Sequence, residues 1–410
     1  MTFEWHPKTF GDLVDFVSSK DSSTKVDPER YVSTESMLPN FGGIQKAATV
    51  PLNSGVTKFS IDDILFSNIR TYFKKVWRAQ FNGHCSNDVL VFRPKDSGVL
   101  LPGYLHHLCR WERFTEFSVR TSKGAKMPRG DKDALAQFSF ESPPIEIQRA
   151  IVEILDSLDD RITLLRETSQ TLEAMAQAIF KSWFVDFDPV RAKSQGLEPE
   201  GMDADTAALF PDAFEEIELG VVPRGWTFQA VGDLLVPKRG KSITKTKCVD
   251  GGIPVVAGGL EPAYFHNQSN VHSPVVTISA SGANAGFVRL YQKDIWASDC
   301  SFVSAEQTEA IYFWYAFLKF NQKKIYFMQQ GAAQPHIYPS DLIRLIVCSP
   351  KSDKLRNIFN SLVSPLFDRI GLNDAKIQTL SNLRDTLLPC LISGQLQMPD
   401  AEQAIEKATA

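Results

Sequence analysis

Trp5-His6-Pro7-Lys8-Thr9-Phe10-Gly11-Asp12-Leu13 and Trp226-Thr227-Phe228-Gln229-Ala230-Val231-Gly232-Asp233-Leu234 open two copies of one unit. In each copy a tryptophan is followed at the same distance by Gly-Asp-Leu. Further along, Gly124-Ala125-x-x-Pro128 returns as Gly331-Ala332-x-x-Pro335, and Ser142-Pro143 returns as Ser349-Pro350. Both copies then enter a long segment with heptad-like spacing. A duplication of this size lets one chain imitate a symmetric dimer, and symmetric dimers are how proteins read two separated half-sites on DNA.

The long segments carry the clearest local signal. In the first, Ile147, Ile151, Ile154, Leu158, Ile162, Leu165, Ser169, Leu172, Met175 and Ile179 recur at steps of three and four. In the second, Leu355, Phe359, Leu362, Leu366, Ile370, Asn373, Ile377, Leu380, Leu383 and Leu387 do the same. Such spacing predicts two helices, each burying one stripe along its length, and the obvious partner for one stripe is the other. The expected seam is Ile151, Leu158, Ile162, Leu172 and Ile179 against Phe359, Leu366, Ile370, Leu380 and Leu387. Pro365 should kink the second helix, and Asn373 places a polar group on the stripe where it could help to set register. A pseudo-two-fold relation between the copies would make the helices antiparallel.

Between these segments the chain reads as mixed. Val89-Leu90-Val91-Phe92, Val275-Val276-Thr277-Ile278 and Leu345-Ile346-Val347 alternate with turn residues, as strands do. One helix is expected in each copy, near residues 102–114 and 309–321. Tyr104 then falls opposite Tyr312, and Ser67-Asn68 opposite Ser279-Ala280. The fold class is therefore α+β, with two similar globular domains separated by a pair of long antiparallel helices. The expected divisions are a globular domain over 1–142, a central helix over 143–190, an acidic linker over 191–219, a second globular domain over 220–349, a C-terminal helix over 350–395 and a tail over 396–410. Four aromatics crowd Phe180-Lys181-Ser182-Trp183-Phe184-Val185-Asp186-Phe187. They either belong to a core or present an anchor, with Trp183, Phe184 and Phe187 the candidates for contact with a partner protein.

At 410 residues with 43% hydrophobic content, the chain is long enough for two or three domains with a core each. No run of eighteen apolar residues could span a bilayer, and Met1-Thr2-Phe3-Glu4-Trp5 lacks the basic start and apolar stretch of a signal peptide. A cytoplasmic protein without membrane contact is expected. The six cysteines form no CxxC pair, which argues against a disulfide framework or a zinc knuckle. His106-His107-x-Cys109 is the one cluster that hints at metal, but it lacks a fourth ligand at usual spacing, and no metal site is expected.

The net charge of −4 argues against nucleic acid until its distribution is considered. Residues 1–142 hold 19 Lys and Arg against 16 Asp and Glu, and residues 220–349 hold 12 against 8; residues 143–219 hold 6 against 17. Basic lobes joined by an acidic segment suit two DNA-touching domains, because phosphate is neutralised locally. Chemistry is harder to find. Ser142-Pro143-Pro144-Ile145 resembles the amino-methyltransferase motif, yet Ile145 stands where an aromatic ring should stack on an extruded base. Gly240-Lys241-Ser242 resembles the end of a phosphate-binding loop, yet Leu235 occupies the place of its first glycine.

With these features together, the chain resembles the specificity subunit of type I restriction-modification systems. The most specific passages are Phe180 to Lys193, Gly220-Val221-Val222-Pro223-Arg224-Gly225-Trp226, and Leu387-Leu388-Pro389-x-Leu391-Ile392-Ser393-Gly394. The resemblance implies two target-recognition domains, each binding one half of a bipartite double-stranded DNA target. The paired helices would fix the unread spacer and dock two methyltransferase subunits. S-adenosylmethionine would sit on those subunits, with ATP and magnesium on a separate motor subunit, and no cofactor or catalytic site would belong to this chain. The DNA-contact candidates are Arg70, Lys74, Lys75, Arg78, Lys123, Lys126 and Arg129 in the first lobe. In the second they are Lys238, Arg239, Lys241, Lys245, Lys247, Gln329, Gln330, Gln334 and His336, with the glutamines suited to adenine edges and the lysines to phosphates. A stand-alone two-lobed DNA-binding regulator and a divergent DNA adenine methyltransferase are the alternatives.

Overall fold

The computed structural model describes residues 5–22, 26–50, 55–331, 334–396 and 398–409. Ala332 of the second repeated turn and residues 1–4 lie outside the described residues. The chain divides into two compact units, one formed by Met1–Leu164 with Lys376–Ala410 and the other by Leu165–Ala375.

In the first unit, a four-stranded antiparallel sheet runs in the order Val14–Phe16, Val89–Pro94, Ile64–Ser67, Val76–Arg78. A second sheet orders Lys20–Ser22, Gly55–Phe59, Gly83–Cys85 and Tyr31–Val32, its last pair parallel. His6–Thr9 pairs with Ser139–Ser142 in a separate ribbon. The second unit repeats the plan. Lys238–Arg239, Cys300–Ser304, Val275–Ser279 and Val288–Tyr291 form its four-stranded sheet. Tyr264–His266, Ile253–Val256 and Trp296–Ala297 form a sheet that again contains one parallel pair, and Trp226–Ala230 pairs with Ile346–Pro350.

The repeated glycines have a steric cause. A Cβ on Gly11 would lie 2.9 Å from the Cβ of Ala136, and one on Gly232 would lie 2.9 Å from the Cβ of Ile343. In each unit the short helix that follows the first ribbon strand, Phe10–Leu13 or Val231–Leu234, packs backbone against backbone there. The helix expected near 102–114 is two helices, Pro102–Arg110 and Glu112–Thr121, and the one expected near 309–321 is Ile311–Phe320.

The two long helices are Ile145–Lys181 and Lys354–Ile392, of 37 and 39 residues. The first begins directly after Pro143-Pro144, which open the helix. The second runs on through Pro365, whose ring removes one internal hydrogen bond without ending the helix. Both helices pass from one unit into the other. Within the second unit, Asn373 lies against Ser169 while Phe359 lies against Phe180 and Trp183, so the helices run antiparallel there. Asn373 is fully buried, donates from Nδ2 to Ser169 Oγ at 3.1 Å, and keeps an unpartnered Oδ1. Its place on the stripe thus gives a polar contact between the two helices.

The seam itself needs correction. Ile151, Leu158, Ile162, Phe359, Leu380 and Leu387 are buried, but Leu172, Ile179, Leu366 and Ile370 are only half-buried and Leu362 is exposed. Ala176, Phe180, Val363 and Phe367 take the buried positions instead. The reason is a third partner: Ile311–Phe320 packs on this stretch, with Tyr312 stacked on Phe367 at 4.6 Å between ring centroids. A stripe that faces two helices shifts round its axis relative to one that faces a single partner.

The same packing overturns the anchor reading of Trp183 and Phe184, which are 6% and 4% exposed. Lys181 is followed by a π-turn over Ser182–Asp186, ended by Phe187 in the left-handed region at φ 58°. This swings Phe184 onto Phe313, Phe359 and Trp226, Trp183 onto Phe210 and Phe359, and half-buried Phe187 onto Phe214 and Trp226. These aromatics are the core of the second unit. The acidic segment over 191–219 is likewise no linker, since Phe210 is buried on Trp183 and Phe214–Ile217 pairs with Gly220–Pro223 across the expected boundary. Nor is 396–410 a tail: Met398–Thr409 is helical, with Ala401 buried.

In the first unit the lobe is joined to the long helices by charge. Asp159 accepts from Arg110 of the lobe and, at 2.7 Å, from Arg384 of the second helix. Asp156 accepts from His107 at 2.8 Å and from Arg78 at 3.1 Å. Burial opposes ionisation of Asp159, yet the two guanidiniums hold its carboxyl well below the usual range. Burial pushes the His107 pKa down despite the bond to Asp156. A group whose folded pKa is depressed contributes stability above its unfolded pKa and loses it as pH falls through the folded one. Urea unfolding of the first unit should therefore weaken in two steps on acidification, below about pH 6.5 for His107 and below about pH 4 for Asp159. Asp159→Asn should cost about 3 kcal/mol at neutral pH, by leaving the buried Arg110 guanidinium without a carboxylate and Arg384 with Asp385 alone, and should remove the lower step. Phe359→Ala should cost the second unit about 3–5 kcal/mol in the same assay, as expected for an emptied aromatic core position.

Candidate nucleic-acid interface

Each unit gathers the same loops at one tip. In the first, the loop that links Ile64–Ser67 to Val76–Arg78 meets a turn closed by a Lys123↔Arg129 bridge, through an Ile69↔Arg129 bridge and a bond from Arg70 N to Pro128 O of 2.8 Å. In the second, the loop after Val275–Ser279 meets a turn closed by Gln330↔His336, through a Ser281↔His336 bridge and a bond from Gly282 N to Pro335 O of 3.0 Å. The turns owe their shape to Gly124 and Gly331, at φ 100° and 91°. An aspartate sits at each junction: Asp88 O accepts from Asn68 N, and Asp299 O from Ala280 N.

The two linking loops have the same backbone and different side chains. Arg70 and Lys74 adopt left-handed φ values of 51° and 54°, and their counterparts Gly282 and Gly286 stand at 80° and 86°. Between them, Thr71-Tyr72-Phe73 in the first copy replaces Ala283-Asn284-Ala285. Tyr72 and Phe73 are 48% and 40% exposed, with their rings 4.8 Å apart. Sequence reasoning missed both aromatics. The signal was present, because aligning Ser67-Asn68 with Ser279-Ala280 sets Arg70 opposite Gly282 and Lys74 opposite Gly286.

The candidate cations divide by surroundings. Arg70 and exposed Lys126 have no ion-pair partner among the described residues. Lys74 pairs with Glu112, Lys123 with Asp131, and Arg129 with Asp88 at 3.0 Å. Lys75 is turned inward, donating to Thr34 O at 2.6 Å, and burial pushes its pKa down. Arg78 is held by Asp62 and by Asp156 of the long helix, away from the tip loops. Its assignment as a DNA contact is corrected: it fastens the lobe to the helix. In the second unit, Lys238, Lys241, Lys245 and Lys247 are exposed, while Arg239 pairs with Asp299 at 2.6 Å, next to the Ser281 hydroxyl that donates to the same carboxylate. Gln329 donates its amide to Ala285 O at 2.7 Å and Gln330 to Asp341 at 2.8 Å, so one donor of each is already committed. Gln334 is exposed, and His336 stacks on Tyr338.

The rejected motifs are explained by their settings. Gly240 follows the strand Lys238–Arg239 and is followed only by the 3-10 turn Lys245–Lys247, not by an α-helix, and a Cβ there would lie 2.4 Å from Ser298 O, so its glycine serves packing. His106, His107 and Asp156 bring ligand atoms within 4.8 Å of one another, but Asp156 already receives Arg78 in an ion pair and His107 in a hydrogen bond on its two oxygens. Cys109 is buried, and burial pushes its thiol well up. No helix among the described residues is long and apolar enough to cross a membrane.

Two lobes of one topology, each with a linking loop met by a glycine turn and each continuous with a long helix, define a duplicated recognition scaffold. The family described as type I restriction modification DNA specificity domain matches residues 4–174 and 223–382, one match to each copy, and the chain belongs to that family. It is 26% identical to the type I restriction enzyme HindI specificity subunit of Haemophilus influenzae, over 96% of this chain and all of that protein. It is 25% identical to the MjaIX specificity subunit of Methanocaldococcus jannaschii, over 75% of this chain and 71% of that one. The crystal structure of the type I restriction-modification S subunit from M. genitalium shares the fold, with a TM-score of 0.56 at 17% identity over 95% of this chain and 96% of that one.

Left-handed backbone costs a residue with a Cβ about 1–2 kcal/mol, of which glycine's extra freedom when unfolded offsets roughly half. Replacing Arg70 and Lys74 together by glycine, as the second copy has them, should raise the unfolding free energy of the first unit by about 1 kcal/mol in urea titration.

Proposed function

We propose that this chain is the DNA-sequence-recognition subunit of a type I restriction-modification complex. Each lobe reads one half of a bipartite double-stranded target, and the helix pair sets the spacing between the halves. The observation that carries this reading is the double construction of one tip on one scaffold, with different side chains at equivalent backbone positions. A reader of two unlike half-sites needs a constant frame and variable tips. Exposed lysines at the tips neutralise phosphates, and the polar and aromatic groups beside them meet base edges.

In this proposal the chain carries no catalytic site and works in the cytoplasm. Two methyltransferase subunits dock on it and supply the S-adenosylmethionine chemistry, and motor subunits with ATP and magnesium join that complex. Trp183 and Phe184, being core, are not the docking surface. Tagged chain purified from its host should appear in native mass spectrometry with two methyltransferase copies, and a lone chain or simple homodimer would overturn the proposal. Adding seven residues to both long helices lengthens the pair by about 10 Å, which is about three base-pair steps. Methylation mapping should then return both half-sites unchanged, with a spacer about three base pairs longer; an unchanged spacer would show that the helices do not set it.

A further inference from the structure

The linking loop of the first lobe holds features that its counterpart shows to be unnecessary for folding. The second copy makes the same turn with Gly282 and Gly286, and keeps the equivalent bonds: Phe73 N to Arg70 O and Ala285 N to Gly282 O, Ser67 N to Lys75 O and Ser279 N to Phe287 O. The first copy puts Arg70 and Lys74 at the two left-handed positions and two exposed aromatics between them. Strain that the scaffold does not require marks a functional segment. A second, independent sign lies directly beneath. Asn68 Oδ1 and Thr71 Oγ1 are buried and have no hydrogen-bond partner, where nearly all buried polar atoms have one. The loop is also pinned, through Arg70 N to Pro128 O, beside the turn that carries exposed Lys126.

Resting on the function proposed above, we infer that Arg70, Tyr72 and Phe73 form the base-reading element of the first lobe, and that the glycine-bounded loop of the second lobe reads its half-site with a different chemistry. Arg70 offers its guanidinium fork to O6 and N7 of a guanine, the pairing that fork matches best. Tyr72 and Phe73 lie against the neighbouring bases, where a thymine methyl gives them an apolar partner. Lys126 and Lys74 contact the flanking phosphates, which fixes register without reading sequence. The corresponding residues of the second lobe, Gly282, Asn284 and Ala285, are too short for that role. Base contact there passes to Gln334 and His336, with the exposed lysines around Lys241 on the phosphates. The two half-sites are therefore different sequences, and the first contains a guanine.

The test uses the full chain assembled with its methyltransferase partners. Genome-wide methylation mapping of the wild-type complex first gives the target; absence of any bipartite target would remove the functional reading itself. Tyr72→Asn with Phe73→Ala, and separately Arg70→Gly, install the residues that the second copy tolerates at the same backbone positions. Assembly mass and melting temperature should be retained or raised. The second half-site should stay unchanged while the first becomes degenerate at one or two positions, with affinity for the cognate duplex falling 10-fold or more and affinity for unrelated duplex little altered. Arg70→Lys, which keeps the charge and removes the fork, should relax the guanine position alone. A bipartite target read with unchanged sequence and affinity by all three variants, or a first half-site without guanine, would overturn the inference.

Discussion

The pairing of Asp159 with Arg110 and Arg384 is the contact on which the first unit depends, because it ties three pieces of chain distant in sequence: the lobe, the first long helix and the second. With Asp156 holding His107 and Arg78 one turn away, the helix presents two carboxylates to four cationic or hydrogen-bonding partners. Buried charge of this kind adds little net stability over an apolar contact, but it penalises every alternative placement in which a charge would be left alone. A reader of DNA needs that property in its lobe more than it needs extra stability, since an angular error at the base of the lobe is magnified at its tip.

The second unit meets the same demand with aromatic rings. When Ser142-Pro143 is set against Ser349-Pro350, Asp156 falls opposite Val363 and Asp159 opposite Leu366. Around those positions Phe359 and Phe367 lock onto Phe313, Tyr312, Phe180 and Phe184. Close packing of rings confers orientation through shape, as ion pairs do through charge. The two copies thus preserve a topology and exchange the chemistry that stabilises it. The acid sensitivity assigned to His107 and Asp159 consequently belongs to the first unit.

Tips and bases also differ in how they tolerate change. Gly11 and Gly232, and Gly124 and Gly331, stay constant because backbone approaches backbone or φ is positive at each. The left-handed pair at 70 and 74 does not stay constant. There the scaffold would accept glycine, and the first lobe carries side chains regardless, so the constraint at that loop comes from what it touches.

Much of the fold was legible in the residues themselves. Repeated Gly-Asp-Leu and Gly-Ala-x-x-Pro passages announce the duplication because Gly11 and Gly232 leave no room for a Cβ and Gly124 and Gly331 stand at positive φ. Three-and-four spacing announces the long helices because a helix buries a stripe. The basic lobes announced themselves through local charge. Tertiary packing decided what one-dimensional patterns leave open. A stripe shows that a helix is covered but not by how many neighbours, so Val363 and Phe367 displaced Leu362 and Leu366 once Ile311–Phe320 packed there. An aromatic run shows buried potential but not its direction, and the π-turn after Lys181 sent Trp183 and Phe184 inward. A cation shows charge but not its partner, so Arg78 and Lys75 proved structural while Tyr72 and Phe73, which carry no charge to attract notice, came to the surface. Periodicity and steric exclusion are properties of the chain alone; orientation and pairing belong to residues brought together from far apart.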